Sequence, residues 1–365
     1  MGFPRNDFIA EARRLGRSEE YIAETLSYAS ALDDQGLPVI FDQQHLAILL
    51  LMERRQLKKL INEVSGHYKY FAIKKRSGGL RRIMSPYNDL KSVQLWIKES
   101  ILDRIEQPNY VTAFAKGRNI VGNAKMHEGR AYILKVDIAN FFESIGVRRV
   151  YKAFCRIGYE KGVSAWLANL CTSKLDDYKY EQLEEQEEVQ RLFDELGMKT
   201  DPFLIQGAPT SPALANIICG KMDRRMMGLA NKIGFNYSRY ADDMTFSADD
   251  KANLPKIGMI RRIVESEGFR LKEEKSELLH KGNRQIVTGL LVDGHVRVPG
   301  RYKKDIMRHI HFCQKYGGRG HFHRITPGKA FGKEWLEGRI RYVYSVEPET
   351  AKKMWAEFEK IDWMI

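Results

Sequence analysis

The chain has 365 residues, 43% hydrophobic and 29% charged, which excludes a disordered or fibrous protein and leaves room for a large core or several subdomains. Lys and Arg number 60 against 47 Asp and Glu, a formal net charge of +13 that suits a polyanionic partner, either nucleic acid or an acidic membrane surface. The best apolar run, AILLLM at 47–52, is far short of the ~20 residues that cross a bilayer.

The N-terminus, MGFPRNDFIAEARR, lacks the apolar stretch of a signal peptide, and Asn6 stands where myristoylation favours Ser or Thr. Cys155, Cys171, Cys219 and Cys313 have no zinc-like or redox spacing, so they read as reduced thiols in a cytoplasmic protein. Residues 1–65 read as helical, with Asp7 and Ser18 as N-caps and LAILLLMERRQLKKLINEV as one amphipathic helix. YKYFAIKKRSGGLRRIMSP (68–86) reads as a hairpin turning at Gly78-Gly79, followed by a helix from Asn88 to about Glu106. AYILKVDIANFFESI (131–145) starts as a buried strand, meets Asp137 and runs into two phenylalanines. Residues 176–199 are strongly acidic and read as a surface insertion. QGAPTSPALANIICGKMDRRM (206–226) is a loop opening a helix, with Ser211 as its cap and Pro212 in its first turn. A helix across about 253–267 and a strand QIVTGLLVD (285–293) precede a helical, basic C-terminal region.

YSRYADDMTFS (237–247) sets Asp242 beside Asp243 within the most strand-like stretch. In a regular strand adjacent side chains point to opposite faces, so cooperation requires a hairpin tip, where ADD would fall. Asp-Asp is common turn chemistry, but here the flanks are aromatic and apolar, and Asp137 ends another apolar strand. Three carboxylates on neighbouring strands can hold two Mg²⁺ ions ~3.5–4 Å apart, which clamp the oxygens of an in-line phosphoryl transfer. Such ions would also cancel the repulsion between the carboxylates.

YADD, VDIANFF, QGAPTSP and FAIKKRSGGLRR, in this order, resemble the reverse transcriptases over roughly residues 65–345. The resemblance implies an α+β, right-hand polymerase: an antiparallel palm sheet flanked by helices, with fingers and a mostly helical thumb. It implies an N-terminal helical segment at 1–65, fingers at 66–130, a palm at 131–295 (146–205 partly fingers or insertion) and an RNA-binding thumb at 296–365. Asp137, Asp242 and Asp243 then match the catalytic metal ligands for two Mg²⁺, with the Ile138 carbonyl as a further ligand. Phe142 matches the aromatic that excludes a ribose 2′-hydroxyl. Lys75 and Arg81 match contacts to the incoming triphosphate, Gln206 and Gly207 the loop beneath the templating pair, and Lys275 a lysine that protonates leaving pyrophosphate.

NAKMH (123–127) and VTG (287–289) resemble two signatures of retron reverse transcriptases, the first carried by Asn123 and His127. That resemblance implies a cognate structured noncoding RNA serving as template and primer source. It implies extension from a guanosine 2′-hydroxyl, a branched RNA-linked cDNA (msDNA) and antiphage defence with a separate effector protein. Neither a fused effector nor an RNase H domain is visible, and oligomeric state is unreadable. The thumb region offers Arg301, Lys303, Lys304, Arg308, Lys315, Arg319, Arg324 and Lys329 for RNA phosphates, and Tyr302, Tyr316 and Phe322 for stacking. HIHFC and HFH (309–313, 321–323) tempt a zinc reading, but His-x-His-x-Cys on a helix scatters its members. The alternatives are another bacterial reverse transcriptase, of group II intron or other defence type, or a catalytically silent RNA-binding scaffold. NAKMH and VTG argue against the first, and the three aspartates with Phe142 against the second.

Overall fold

The structure is a computed structural model that describes residues 3–74, 80–174, 201–325 and 332–364; the side chains of 72, 74 and 80–82 are not described. Lys75, the expected turn at Gly78-Gly79, the acidic stretch 176–199 and Lys329 lie outside the described residues. The elements are α1 (Arg5–Arg14), α2 (Glu19–Asp33), α3 (Gln43–Leu49), α4 (Arg54–Asn62), β1 (Tyr68–Lys74), β2 (Leu80–Pro86), α5 (Asn88–Ser100), α6 (Ile120–Lys125) and β3 (Tyr132–Ile138). There follow α7 (Val147–Ile157), α8 (Lys161–Cys171), β4 (Thr172–Ser173), β5 (Phe203–Leu204), α9 (Ser211–Ile233), β6 (Asn236–Tyr240), β7 (Asp243–Ala248), α10 (Ile257–Ser266) and β8 (Leu271–His280). The last are β9 (Ile286–Val287), β10 (Leu290–Leu291), α11 (Gly300–Tyr316), α12 (Gly318–Ile325), α13 (Gly332–Tyr344) and α14 (Pro348–Phe358). The architecture is α+β with antiparallel strand pairs.

The chain divides into two compact units: Met1–Lys116 with Ile138–Arg225 and Arg261–Leu271, and Gly117–Asp137 with Met226–Ile260 and Lys272–Ile365. In the first unit, β1 and β2 pair from Tyr68 opposite Pro86 to Lys74 opposite Leu80, the hairpin that the sequence predicts. The main-chain oxygen of Gln206 accepts a 2.9 Å hydrogen bond from the Met84 amide of β2. Gly207 follows at φ +116°, and a Cβ there would lie 2.6 Å from the Met84 oxygen and 2.8 Å from Ile83 Cγ2. Only glycine allows that approach in that backbone conformation.

The second unit holds the sheet β6-β7-β3-β8. Strand β7 lies inside it, paired at both edges, and both its faces are covered: Met244 and Phe246 are buried on one side, Thr245 and Ser247 on the other. The helices of this unit bury residues at helical spacing: Ile306, Ile310 and Cys313 on α11; Leu336, Ile340 and Val343 on α13; Ala351, Met354 and Phe358 on α14. These join Ile133, Leu279, Val287 and Leu290 in one core, where each large side chain contributes about 1.5–3 kcal/mol.

Four local expectations change. Ser18 caps α2, accepting from the Tyr21 amide at 3.2 Å, but Asp7 falls inside α1, whose first turn follows Pro4. The long helix expected after residue 45 breaks into α3 and α4 because Leu51 turns to φ +54°. Thr210, not Ser211, stands at the cap position of α9: Ser211 is the first helical residue, and the Thr210 oxygen takes the first helical hydrogen bond, from Leu214. The strand expected at 285–293 is instead the hairpin β9–β10, with Thr288 and Gly289 at φ +45° and +83° in its turn.

Leu51 is 94% exposed, so its left-handed backbone gains nothing from burial. That conformation costs a non-glycine residue roughly 1–2 kcal/mol, and asparagine tolerates it better. Leu51→Asn should therefore raise the melting temperature by about 1–2 °C in a thermal scan.

Candidate active site

Tyr240 pairs with Asp243, which leaves Ala241 and Asp242 as a two-residue turn between β6 and β7. Ala241 takes φ +59°, a positive value that such tight turns demand at a central position. Arg239, fully buried, donates from Nη1 to the Ala241 oxygen at 3.0 Å. On the other side of β7, Asp243 stands directly opposite Asp137 of β3. Cross-strand partners share a face, so the two carboxyl groups meet. Asp242, in the turn, is exposed.

The electrostatics follow from this pairing. Burial, then the hydrogen bond and charge of Asp137, then the charge of Asp242, push the Asp243 pKa up to about 8 against the pull of Lys135. Burial also works to raise Asp137, but the hydrogen bond from Asp243, the Lys275 ammonium and the Lys135 charge outweigh it and hold Asp137 low. At neutral pH Asp243 therefore keeps a proton and donates it to an ionised Asp137. Lys275, on β8, places Nζ 3.2 Å from Asp137 Oδ2 while staying half exposed.

A family model described as reverse transcriptase (RNA-dependent DNA polymerase) matches residues 73–312. The chain belongs to the reverse transcriptase family. It is 32% identical over 319 residues to the retron Mx162 reverse transcriptase of Myxococcus xanthus, covering 82% of this chain and 62% of that one. It is 31% identical over 356 residues to the retron Mx65 reverse transcriptase of the same organism, covering 94% and 79%. It is 28% identical over 335 residues to the retron Ec86 reverse transcriptase of Escherichia coli, covering 91% and 92%. Among solved structures it is similar to telomerase from Candida albicans at a TM-score of 0.45 and 12% identity, covering 82% of this chain and 59% of that one, too loose a likeness to bear on function.

Reverse transcriptases generally use divalent metal ions. Among the described residues no three His, Cys, Asp or Glu side chains converge into a metal cage. Two of the three aspartates nevertheless fit such an ion: Asp137 and Asp243 are hard oxygen donors that share a proton where a cation would serve better. Asp242 acts on Asp243 through its charge.

The other expected site residues fall in several places. Ile138 ends β3 and is buried. Phe142 is half buried, its ring 5.2 Å from that of Phe141, which packs on Phe269. Arg81 lies on β2 opposite Ile73. Arg301, Lys304 and Arg308 are exposed and line a cavity of about 830 Å³ together with Arg284 and Arg339. Tyr316 is exposed, with Lys315 and Arg324 over its ring.

Five residues expected to meet RNA have partners within the protein instead. Asn123 and His127 are buried at 1% and 0% exposure, so their side chains serve the interior. Lys303 is tied to Glu347 by hydrogen bonds of 2.6 and 2.9 Å between α11 and the start of α14. Phe322 is buried, and Tyr302 is covered by Arg339 and Tyr342. Of the histidines that prompted the zinc question, His309 Nδ1 lies 2.9 Å from His321 Nε2, while His311 and His323 are exposed.

Sequence reasoning missed Lys135, Arg239, Ser238 and Ser247. Alternation along the strand was the available signal for Lys135, two residues before Asp137 and on its face. A buried arginine next to the turn carries no such pattern.

Two predictions follow from the geometry. Because the folded-state pKa of Asp243 is raised, its effect on stability is absent below about pH 4, and it destabilises increasingly as pH rises toward 8. Asp243→Asn should therefore melt at least about 2 °C above wild type at pH 8 without added metal, and level with it at pH 4. Gly207→Ala should melt lower by several degrees, since strain and overlap with β2 together cost about 2 kcal/mol or more.

Proposed function

We propose that the protein is the RNA-directed DNA polymerase of a retron. It copies a cognate structured noncoding RNA into single-stranded DNA that stays linked to a guanosine 2′-hydroxyl, in the cytoplasm, as part of antiphage defence with a separate effector protein. The observation that carries this reading is the pairing of Asp137 with Asp243 beside Asp242, in a chain of the reverse transcriptase family that is similar to retron enzymes over most of its length. Two Mg²⁺ ions held by Asp137, Asp242, Asp243 and the Ile138 oxygen would activate the primer hydroxyl and stabilise the leaving oxygen.

The chain's own residues do the rest. Asp243 must give up its proton before the site is loaded. Phe142 excludes ribonucleotides by occupying the volume of the 2′-hydroxyl. Lys75 and Arg81 hold the triphosphate, Gln206 and Gly207 support the templating pair, and Lys275 donates a proton to departing pyrophosphate. Lys275 is supported in that role by its place beside Asp137 and its exposed ammonium. The β1–β2 hairpin would be the fingers, the β6-β7-β3-β8 sheet the palm and α11–α14 the thumb. The basic cavity with Arg301, Lys304 and Arg308 suits RNA phosphates.

The test is to sequence and debranch the nucleic acid that copurifies with wild type and with Asp242→Asn. A 2′–5′ branched RNA–DNA species with wild type only is expected; linear DNA, or equal product from both proteins, refutes the reading. Phe142→Ala should raise ribonucleotide incorporation by at least about tenfold in the same assay, through loss of steric discrimination.

A further inference from the structure

The segments NAKMH and VTG lie 160 positions apart, yet their side chains meet inside the second unit. His127 Nδ1 is 2.7 Å from Ser247 Oγ, and Nε2 is 2.8 Å from Ser238 Oγ. Ser238 Oγ donates to Asn123 Oδ1 at 2.6 Å. Asn123 Nδ2 donates to Thr288 Oγ1 at 3.5 Å, and Thr288 Oγ1 donates to the Ile120 oxygen at 3.1 Å.

These bonds have one direction. A serine hydroxyl has a single proton, and Ser238 gives it to Asn123, so Ser238 must accept from His127. The imidazole therefore carries its proton on Nε2, and Nδ1 accepts from Ser247. The donors run Ser247, His127, Ser238, Asn123, Thr288, ending on a carbonyl. Burial keeps the ring neutral, with its pKa lowered to about 3, as the tautomer requires. In a buried chain of this kind each bond polarises the next.

Both ends of the relay matter. Ser238 and Ser247 sit on β6 and β7, the two strands that present the Ala241–Asp242 turn. Asn236, opposite Ser247, adds a 2.7 Å bond to the Met126 oxygen beside His127. At the other end, Thr288 is β-branched yet sits at φ +45°, a conformation such residues almost never take without support. Gly289 beside it faces the Tyr342 hydroxyl of α13 across 3.9 Å from where a Cβ would stand.

We propose that Ser247, His127, Ser238, Asn123 and Thr288 form a one-way hydrogen-bond relay that positions the catalytic hairpin and couples its register to the turn at Thr288. Four of these side chains are buried and Thr288 is half buried, so they act through the hairpin as positioning residues. The kinetic part of this proposal rests on the polymerase reading, but the coupling does not.

The experiment therefore has two arms. Hydrogen exchange compares wild type with Thr288→Val, which keeps the branched shape and removes the hydroxyl. Loss of protection at the backbone amides of 238–247, by about tenfold, is expected; loss confined to 286–291 overturns the coupling. Nitrogen NMR of His127 should report a neutral ring protonated on Nε2 from pH 5 to 8; an Nδ1 proton or a charged ring overturns the relay. In the kinetic arm, Ser238→Ala should lower kcat for deoxynucleotide incorporation by about tenfold or more with KM changed less than twofold, as for loss of positioning. Ser238→Thr should restore it. Ser238→Ala with Thr288→Val should be no worse than the poorer single variant, since one chain is broken once. Additive losses overturn the proposal. If wild type incorporates nothing, the polymerase reading fails while the exchange and NMR results still decide the relay.

Discussion

The repulsion between Asp137 and Asp243 governs this structure. Folding brings two acids face to face across neighbouring strands, and without a cation the pair survives by keeping one proton between them. Lys275 and Lys135 supply positive charge to the same spot. The surrounding fold can be understood as the scaffold that makes this unfavourable contact tolerable: a central strand covered on both sides, a buried arginine pinning the turn, and a helical core that anchors the sheet. A site poised to accept hard cations is thus built from an interaction that weakens the fold around it.

Two features oppose that weakness by different means. Arg239 acts locally, through the main-chain oxygen of Ala241. The chain of hydroxyls, amide and imidazole through His127 acts at longer range, from a polar seam in which each hydroxyl and imidazole proton has one destination. A protonated imidazole could not serve there, because it has no acceptor to offer Ser247.

Much of the fold was legible because its signals are local. The β1–β2 hairpin announces itself by strand-like YKYFAI and LRRIM on either side of a glycine pair, and the carboxylate turn by strand-like flanks on either side of ADD. Helices α11, α13 and α14 carry apolar residues three and four apart. What failed was non-local. Nothing near Leu51 forbids a continuing helix; the break depends on where α3 and α4 must pack. VTG has strand composition, and only the support from Asn123 and Ile120 lets Thr288 turn instead. Asn123 and His127 are polar residues in a basic chain and therefore resemble RNA ligands, whereas their partners lie more than a hundred residues away. Lys303 misled for the same reason, since Glu347 is distant in sequence.

The tight turn has one more consequence. Ladder pairing begins at Tyr240 and Asp243, with only Ala241 and Asp242 between them. Since side chains alternate along a strand, lengthening or shortening this link by one position would rotate the acid of β7 to the opposite side of the sheet. Evolution can exchange the alanine for another residue that accepts its backbone angle, but it cannot alter the spacing. Natural variation at this point of the gene should consist of codon replacements, with in-frame insertions and deletions removed by selection.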